Sequence, residues 1–505
     1  MPDAFGKGVA RLCGVLAAPT AREMRGLLAL ALRETPTAEI RLDWLKNDSE
    51  RRAFLKWLKA HGPRKAQLIA TCRRRVGGGE FAGDAGEELY WLMQAREAGC
   101  AWCDLEVETL RELPGKSVHG YAVPGKVLLS MHDFRRTPEF PENLTVPAAG
   151  GAKAIKVAAM ARSVSDSARV LRLARNSRDV VAIAMGEIGL PARVLALREG
   201  SALAYAPVAA ATAPGQIPLR DLKTLYRAHE LTQATRVYGV IGNPVGHSLS
   251  PLLHNTGYIA AGKDAVYVPF LVENLKDFLK ALPEFGVRGF SVTLPHKEMI
   301  FAHLDAVEPL AAKIGAVNTV TVGKDGSLYG SNTDYVGVLR ALERKMKLRG
   351  SRMVIYGAGG SARAAAFALA QAGVDVFICA RRPEAARKLA KAVCGEAIVR
   401  SDLRSVEFDA LLNATPIGMF PQEKVSPLTA GELNCSLVMD LIYRPIRTKL
   451  LRLAASRKIA CVSGVDMFLA QGFAQWEHWM GSNAPESPMR NAVLRALKNE
   501  ENTRW

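Results

Sequence analysis

Hydrophobic residues in the first 210 positions fall into short, nearly continuous runs that alternate with longer stretches of helical periodicity. Such runs, joined by crossovers, are typical of parallel strands that are buried on both faces. Eight units of this kind in about 220 residues predict an α/β fold with an N-terminal (β/α)8 barrel. The predicted strands are Arg11–Leu16, Ala38–Asp43, Gln67–Cys72, Trp102–Val107, Lys126–Met131, Ala154–Ala158, Val180–Met185 and Ala202–Val208.

The crossovers after the fourth and fifth predicted strands are poor helix sequence. Between them they contain Pro114, Pro124, Pro138, Pro141 and Pro147. Proline lacks the backbone N–H and breaks a helix interior. We therefore expect at least two outer helices of the barrel to be short or absent.

A predicted helix over 219–232 ends the barrel region, and a new strand begins at Val237. Strand–helix units continue to about residue 340, and a second α/β region follows from Met353 to Val462. The tail from Asp466 to Lys498 has helical periodicity. The predicted domains are a barrel over 1–232, a substrate-binding domain over 233–340 against which a tail over 470–505 packs, and a Rossmann nucleotide-binding domain over 341–469.

A glycine-rich turn follows the apolar strand that begins at Met353. It reads Gly357-Ala-Gly359-Gly360-Ser361-Ala362 and leads into an alanine-rich helix, which matches the G-x-G-x-x-A pattern in its strand–turn–helix context. Glycines in such a turn let backbone N–H groups approach a pyrophosphate at the helix N-terminus. The five residues Gly357, Gly359, Gly360, Ser361 and Ala362 are the predicted pyrophosphate-binding residues.

The residues after the next predicted strand, Val374–Cys379, distinguish the two nicotinamide cofactors. Enzymes that use NAD usually place Asp or Glu there to bind the ribose hydroxyls. This chain has Arg381 and Arg382, whose guanidinium groups suit a 2′-phosphate. We therefore predict NADP as the cofactor; the alternative is that both arginines are simply solvated at a helix start.

The composition, 49% apolar and 23% charged, is ordinary for a globular protein. No apolar run is long enough to span a membrane, and the N-terminal residues lack the pattern of a secretory signal, so we expect a cytoplasmic enzyme. Cys100 and Cys103 form a C-x-x-C without a second pair, which favours small core residues over a metal site. The net charge of +18 is spread along the chain without a nucleic-acid-binding motif, so anionic small molecules are the expected partners, and neither nucleic acid nor a membrane.

Seven ordered motifs between about residues 237 and 500 resemble those of shikimate dehydrogenases. They run from Tyr238 to Pro251, Gly289 to Lys297, Gly315 to Thr319, Gly330 to Asp334, Asn413 to Met419, Asp440 to Pro445 and Gly464 to Gln471. The resemblance implies that Lys297 and Asp334 are the catalytic pair, because an ammonium beside a ketone can supply a proton to its oxygen. It also implies that Ser248 and Ser250 bind the substrate carboxylate, that Thr293, Asn318 and Gln471 bind ring hydroxyls, and that Asn413, Thr415 and Gly464 help to bind the cofactor.

One position departs from that pattern. Many bacterial shikimate dehydrogenases carry Asn where this chain has Ser291, whereas plant-type fused enzymes often carry Ser. The departure leaves both shikimate and quinate open as the polyol.

The barrel, over about residues 10–228, resembles type I 3-dehydroquinate dehydratases. The motifs that carry this resemblance are Glu39-Ile-Arg41-Leu-Asp43, Leu129-Ser-Met-His132-Asp-Phe134, Ala154-Ile-Lys156, Met185-Gly followed by Arg193, and Ala211-Thr212-Ala-Pro-Gly215-Gln216. Active residues of such barrels lie at the C-terminal ends of the strands. Six polar residues fall on or just after predicted strands: Arg41, Arg73, His132, Lys156, Arg193 and Gln216.

The resemblance implies covalent catalysis by Lys156, which attacks the ketone of 3-dehydroquinate and forms an imine. Lys156 has to be neutral for this attack, which burial and a nearby cation such as Arg73 would favour. His132 would then remove a proton from the substrate, and Arg193 would bind its carboxylate. The remaining predicted substrate-binding residues are Glu39, Arg41, Arg73, Thr212 and Gln216.

The third-strand motif departs from the dehydratase pattern. The family places a glutamate four residues after the arginine, where it helps to orient the histidine, and this chain has Gly77 four residues after Arg73. Glu80 and Glu106 are the candidates to replace that carboxylate.

Together these observations predict a bifunctional enzyme that dehydrates 3-dehydroquinate and reduces the product to shikimate with NADPH. One alternative is a shikimate or quinate dehydrogenase whose barrel is impaired. Another is a regulator that senses these metabolites, although such a protein should have lost Lys156 and Lys297.

Overall fold

The structure is a computed structural model that describes residues 4–5, 11–112, 126–146, 151–209 and 215–503. The chain divides into two compact units. Unit 1 comprises Met1–Val237 and Asp264–Gly286, and unit 2 comprises Tyr238–Lys263 and Val287–Trp505. The three predicted domains stay a prediction beside this division.

Unit 1 contains the predicted barrel. Its eight strands are parallel and follow the order β7-β6-β5-β4-β3-β2-β1-β8. Ala202 N–H donates to the Val180 carbonyl, which brings the start of β7 beside the chain that enters β8. The strands are β1 Leu12–Leu16, β2 Thr37–Arg41, β3 Gln67–Thr71, β4 Trp102–Glu106, β5 Lys126–Asp133, β6 Ala152–Met160, β7 Val180–Met185 and β8 Ala204–Pro207. All eight predicted strands are confirmed, because each apolar run is long enough to cross a buried layer.

Outer helices connect these strands. They are α1 Ala21–Glu34, α2 Asp48–His61, α3 Ala85–Glu97, α4 Val107–Glu112, α5 Val164–Asn176, α6 Leu190–Leu195 and α7 Leu219–Thr224. The described part of the crossover between β5 and β6 contains no α-helix, and α4 has only six residues. The expectation of reduced crossovers is therefore confirmed for the part of the chain that the structure describes.

Helix α7 is shorter than the predicted helix over 219–232. Arg227 adopts a positive φ of 49°, a conformation that a right-handed helix cannot contain. The hydrogen bond from Ala228 N–H to the Leu222 carbonyl closes the helix end. The predicted helix was too long because the helical periodicity of the sequence continues beyond the residue at which α7 ends.

The barrel is filled and surrounded by apolar side chains. Inside it, Cys13, Ile69, Trp102, Leu128 and Val181 form one buried cluster. A second cluster between the strands and the outer helices includes Cys100 and Cys103, which are both fully buried. The C-x-x-C motif thus contributes two core residues.

Residues 264–286 also belong to unit 1. They form β10 Ala265–Leu271 and α9 Leu275–Phe285. Asp277 accepts hydrogen bonds from the N–H groups of Val164 and Ser165, the first two residues of α5, and Glu284 accepts from Arg172 and Arg175. A carboxylate at a helix N-terminus satisfies otherwise unpaired N–H groups, so α9 is bound to the barrel by polar as well as apolar contacts.

Unit 2 contains two sheets. In the first, strands follow one another as β9-β11-β13-β14-β12, with β11–β13 and β13–β14 antiparallel. Their bounds are β9 Arg236–Gly242, β11 Val287–Val292, β12 Ala306–Val307, β13 Thr319–Val322 and β14 Leu328–Ser331. The helices of this region are α8 Ser250–Ala260, α10 His296–Met299, α11 Pro309–Ile314 and α12 Thr333–Glu343.

The second sheet is entirely parallel and has the order β17-β16-β15-β18-β19-β20. This is the Rossmann order, in which the chain reverses direction across the sheet between the first and fourth strands. The elements are β15 Arg352–Tyr356, α13 Gly360–Gln371, β16 Asp375–Cys379, α14 Pro383–Ala392, β17 Glu396–Ile398, β18 Ala410–Asn413, β19 Leu437–Asp440, α15 Lys449–Ser456 and β20 Ala460–Val462.

Two helices complete unit 2. Helix α16, Gly464–Met480, packs against α12, and α17, Glu486–Thr503, packs against α8. Among the residues that the structure describes, no helix is long and apolar enough to cross a membrane. The predicted fold class, a (β/α)8 barrel followed by a half that ends in a Rossmann sheet, is confirmed.

Candidate active sites

Lys156 lies on β6 inside the barrel and is buried. Its ammonium group donates to Glu39 Oε1 and to Asp104 Oδ2, each at 2.8 Å. It also lies 4.3 Å from the centre of the Tyr205 ring. Thr71 donates to the same Glu39 oxygen at 2.8 Å, so the carboxylate of Glu39 is fixed from two strands.

The two carboxylates have a chemical consequence for Lys156. A lysine has to lose its ammonium proton before it can attack a ketone. Glu39 and Asp104 are within hydrogen-bonding distance to accept it. Burial opposes the charge of Asp104, but Lys156 and Arg73 outweigh it and hold the pKa of Asp104 below its usual value.

His132 lies on β5, next to the strand that carries Lys156. Its ring stacks on Phe134 with the centroids 5.9 Å apart. Burial, followed by the charges of Arg73 and Lys156, holds the pKa of His132 well below its usual range. A neutral imidazole can act as a general base.

The two arginines predicted from strands two and three have different environments. Arg41 forms a bidentate pair with Asp43, with distances of 2.9 and 2.7 Å. Arg73 is 6% exposed and lies beside two carboxylates, with Nε 3.1 Å from Glu106 Oε1 and Nη2 3.6 Å from Asp104 Oδ2. Arg73 therefore lies beside Asp104, one of the two carboxylates that bind Lys156.

Arg193 on α6 is half-buried, and its Nε atom is buried without a hydrogen-bond partner in the described part of the chain. Burial lowers its pKa to about 10, and among the described residues no carboxylate offsets that effect. A guanidinium with a buried nitrogen that lacks a partner is suited to bind a carboxylate ligand. Gln216 is half-buried between β8 and α7, whereas Thr212 lies outside the described residues.

The predicted reductase residues surround one cavity of about 310 Å³ in unit 2. The cavity is lined by residues of the four substrate motifs, of the nucleotide turn, of the segment after β19 and of α16. They include Ser248, Ser250, Ser291, Thr293, Lys297, Asn318, Asp334, Ser361, Tyr443, Phe468, Gln471 and Gln475. Because Ser361 belongs to the glycine-rich turn, that turn and the substrate motifs open onto the same space.

Lys297 and Asp334 form an ion pair in this cavity, with 2.5 Å between Nζ and Oδ2. Asn318 donates to the other carboxylate oxygen at 2.8 Å. Asp334 lies in the first turn of α12, which begins after Asn332, whose side chain accepts from Asp334 N–H. The helix start thus fixes the carboxylate, and the carboxylate fixes Lys297.

The other substrate-motif residues provide neutral polar groups. Ser248 lies just before α8 and Ser250 begins it, and Ser250 N–H donates to the Ser248 hydroxyl. Gln471 donates to the Phe468 carbonyl, and Thr293 follows β11 at the cavity wall. Ser291 donates to Gln475 at 3.0 Å, which ties its hydroxyl to α16.

The glycine-rich turn lies at the point where the Rossmann sheet reverses its order. Gly357 has a φ of 130°, and a Cβ there would lie 3.0 Å from the Ala414 carbonyl oxygen, so only glycine fits comfortably. A Cβ on Gly359 or Gly360 would meet open space. Helix α13 starts at Gly360 without a side-chain cap and includes Ser361 and Ala362. Its unpaired N–H groups and the space in front of them fit a pyrophosphate.

Arg381 and Arg382 follow β16 and are both exposed at the start of α14. Their exposed guanidinium groups are accessible to a 2′-phosphate. Asn413, by contrast, donates to Asp440 and accepts from Thr415, so its side chain shapes the turn after β18. A Cβ on Gly464 would lie 2.4 Å from the Ile442 backbone, which gives this glycine a packing role. A cofactor contact for Asn413, Thr415 and Gly464 stays a prediction.

Sequence reasoning missed two residues of these sites. Asp104 binds Lys156 from the middle of β4, and its position inside a predicted barrel strand was the available signal. Gln475 lies one helical turn after Gln471, so both face the cavity from α16. Its i+4 spacing from a predicted site residue could have identified it.

Comparison with known proteins links both sites to one family. The type I 3-dehydroquinase model matches residues 12–233, the shikimate dehydrogenase substrate binding domain model matches 240–320, and the shikimate 5′-dehydrogenase C-terminal domain model matches 464–494. The chloroplastic bifunctional 3-dehydroquinate dehydratase/shikimate dehydrogenase of Arabidopsis thaliana is 36% identical over 476 residues, which cover 89% of this chain and 78% of that protein.

Two further matches cover the second half alone. The shikimate dehydrogenase (NADP⁺) of Methanothermobacter thermautotrophicus is 41% identical over 285 residues, 54% of this chain and 100% of that protein. A crystal structure of a shikimate dehydrogenase in complex with NADP⁺ is 38% identical, has a TM-score of 0.50, and covers 53% of this chain and 97% of that chain. With the match that spans both halves, these similarities show that this chain belongs to the family of bifunctional 3-dehydroquinate dehydratase/shikimate dehydrogenases.

Proposed function

We propose that the chain catalyses two consecutive reactions, the dehydration of 3-dehydroquinate to 3-dehydroshikimate and the NADPH-dependent reduction of 3-dehydroshikimate to shikimate. The observation that carries the first reaction is a buried Lys156 between two carboxylates, with His132, whose pKa is lowered, on the next strand. The second reaction is supported by the Lys297–Asp334 pair in a cavity that the nucleotide turn also lines.

In the dehydratase, Lys156 gives a proton to Glu39 or Asp104 and attacks the ketone of 3-dehydroquinate. Water leaves, and an imine joins the lysine nitrogen to the former carbonyl carbon. Neutral His132 removes a proton from the adjacent carbon and then gives a proton to the neighbouring hydroxyl, which leaves as water as the carbon–carbon double bond forms. Water then hydrolyses the imine and releases 3-dehydroshikimate. Arg193 binds the substrate carboxylate throughout.

In the reductase, the residues of the cavity orient the ketone and supply its proton. Ser248 and Ser250 donate to the substrate carboxylate, and Asn318, Thr293 and Gln471 bind the ring hydroxyls. NADPH, when bound, would provide the hydride for the carbonyl carbon. Lys297 donates a proton to the carbonyl oxygen, and Asp334 holds the ammonium in place. Gly359 and Gly360 would admit the pyrophosphate, and Arg381 and Arg382 would bind the 2′-phosphate.

The deciding experiment gives the purified chain 3-dehydroquinate and NADPH and follows NADPH oxidation and shikimate formation. Both should occur, because the product of the first site is the substrate of the second. NADPH oxidation with 3-dehydroshikimate alone would instead support a reductase with an impaired barrel. Higher catalytic efficiency with quinate than with shikimate in the reverse direction would favour the quinate dehydrogenase, and binding without turnover would favour a sensor. A cytoplasmic location stays a prediction.

A further inference from the structure

We propose that Glu106 is a positioning residue of the dehydratase site and that Gly77 is glycine because the Glu106 carboxylate occupies the space of its side chain. The inference rests on the proposed dehydratase function. It concerns two residues from different strand ends, β4 and the turn after β3, that meet at the barrel opening.

The contact between them leaves no room for a side chain at position 77. A Cβ on Gly77 would lie 2.1 Å from Glu106 Oε1 and 2.4 Å from Oε2. Non-bonded carbon and oxygen atoms do not approach so closely without a shift of one of them. Any residue other than glycine at position 77 therefore has to displace the carboxylate of Glu106.

That carboxylate is buried and holds Arg73. Glu106 is 2% exposed, and its Oε1 atom lies 3.1 Å from Arg73 Nε. The other end of the guanidinium lies 3.6 Å from Asp104 Oδ2, which binds Lys156 at 2.8 Å. Glu106 thus reaches the nucleophile through Arg73 and Asp104.

The charge of Glu106 affects where the Arg73 guanidinium lies, and through it the contacts of Asp104. If Glu106 were neutral, Asp104 would be the carboxylate left beside Arg73, and the guanidinium would move toward it. Asp104 would then contact Arg73 more closely and Lys156 less closely. Asp104 is one of the two groups that can take the lysine proton. A positioning error of about 1 Å can cost roughly 100-fold in rate.

The turn that contains Gly77 touches a second part of the site. A Cβ on Gly78 would lie 2.4 Å from the Phe134 ring, which stacks on His132. Gly78 also has a φ of 79°, which favours glycine. The turn therefore packs on Glu106, which binds Arg73, and on Phe134, which stacks on His132. Movement of Glu106 would disturb this turn.

Neighbouring carboxylates do not offer the same contact. Glu80 is exposed, and its backbone N–H donates to Asp43. Glu88 and Glu112 bind Arg74, the residue after Arg73, on the other side of the strand. Of the two candidates for a replacement carboxylate, Glu106 and not Glu80 is buried beside Arg73.

The test is a double-mutant cycle in the full chain with Glu106→Gln, Glu106→Ala, Gly77→Ala and the pair Gly77→Ala/Glu106→Ala. We expect Glu106→Gln and Gly77→Ala each to lower the kcat of dehydration by about 10- to 100-fold, with KM changed less than about threefold. Borohydride should trap the Lys156 adduct more slowly in both. The pair should be no slower than Glu106→Ala, because the displaced carboxylate is already absent.

Controls separate positioning from folding. Glu108→Gln changes a half-buried carboxylate two residues away and should leave dehydration unchanged. Reduction of 3-dehydroshikimate should be unchanged in every variant. The exchange Gly77→Glu/Glu106→Ala returns a carboxylate to the same space and should recover part of the lost kcat.

Two results would overturn the inference. One is wild-type kcat in Glu106→Gln, and the other is independent, multiplicative losses for Gly77→Ala and Glu106→Ala. If the unmodified chain reduces 3-dehydroshikimate but never dehydrates 3-dehydroquinate, the proposed dehydratase function falls, and the role of Glu106 falls with it.

Discussion

The two lysines of this chain meet their carboxylates in different ways. Lys156 is buried and bound by Glu39 and Asp104, each at 2.8 Å. Lys297 is bound by Asp334 at 2.5 Å, and its side chain is 27% exposed in an open cavity. A lysine that forms a covalent bond needs internal groups to take its proton, whereas a lysine that delivers a proton can recover it from solvent. The surroundings of each lysine fit its proposed task.

The groups around the two lysines also differ, because charged side chains surround Lys156 and mostly neutral polar side chains surround Lys297. Near Lys156, the described residues include Arg73 and Arg41, whose charges, with burial and Lys156 itself, help to keep His132 neutral. Around Lys297, hydroxyl and amide groups line the cavity. Neutral donors orient a substrate without altering the charge of the catalytic pair. The barrel thus relies on compensated charges and the reductase on hydrogen bonds.

Removing the nucleophile should have the largest effect and should separate the two halves completely. We expect Lys156→Ala to lower dehydration by at least about 1,000-fold, because no imine can form. Reduction of 3-dehydroshikimate should be unchanged, and borohydride with 3-dehydroquinate should leave the chain unmodified by mass. Lys153→Ala, an exposed lysine on the same strand, is the matched control. Residual trapping in Lys156→Ala would assign the imine to another lysine.

Removing the second lysine tests the opposite half. Lys297→Ala should lower the kcat of reduction by about 100- to 10,000-fold, the usual contribution of a positioned acid or base. Dehydration should remain at its original rate. Lys313→Ala, an exposed lysine on α11, should leave both reactions unchanged. Unaltered reduction by Lys297→Ala would contradict its role as proton donor.

The cofactor prediction gives a smaller effect. Arg381→Ser/Arg382→Ser should reduce the preference for NADPH over NADH by about 10- to 100-fold, because both arginines are exposed and solvent weakens the charge-assisted hydrogen bonds that they would donate to a phosphate. The ratio of kcat/KM for the two cofactors measures this directly. Arg387→Ser, on the exposed face of α14, is the control. An unchanged ratio would return both arginines to the role of solvated residues.

Asp440 is a buried carboxylate that forms no ion pair among the described residues, unlike Glu39 and Asp104, and we expect its replacement to give the smallest effect. Asp440 accepts from Asn413, Ile442 and Thr448, yet burial raises its pKa to about 6. The native state therefore holds a proton that the unfolded chain loses at lower pH, so stability falls as pH rises through the interval up to about 6.

Asp440→Asn should remove that dependence. We expect it to raise the free energy of unfolding at pH 7.5 by roughly 1–3 kcal/mol, with the difference from the original chain shrinking toward pH 4. Thermal unfolding across this range measures it. An equal difference at all pH values would show that Asp440 does not titrate in the native state.

The sequence predicted the barrel because eight apolar runs each had the length of one buried strand. It placed Lys156, His132 and Arg73 at the barrel opening for the same reason, since strand ends meet at one edge. Asp104 escaped notice because a carboxylate within an apolar strand has no local pattern that marks its partner. The contact between Gly77 and Glu106 joins residues 29 positions apart, and only the packing of two strand ends brings them together.

The position of residues 264–286 matters for anyone who wishes to separate the two activities. Helix α9 supplies Asp277 to the first N–H groups of α5 and Glu284 to Arg172 and Arg175. A chain shortened to 1–232 would expose those donors and the apolar surface that α9 and β10 cover. We therefore expect a barrel expressed without these residues to aggregate, and a working separation of the two halves has to keep residues 264–286 with the barrel.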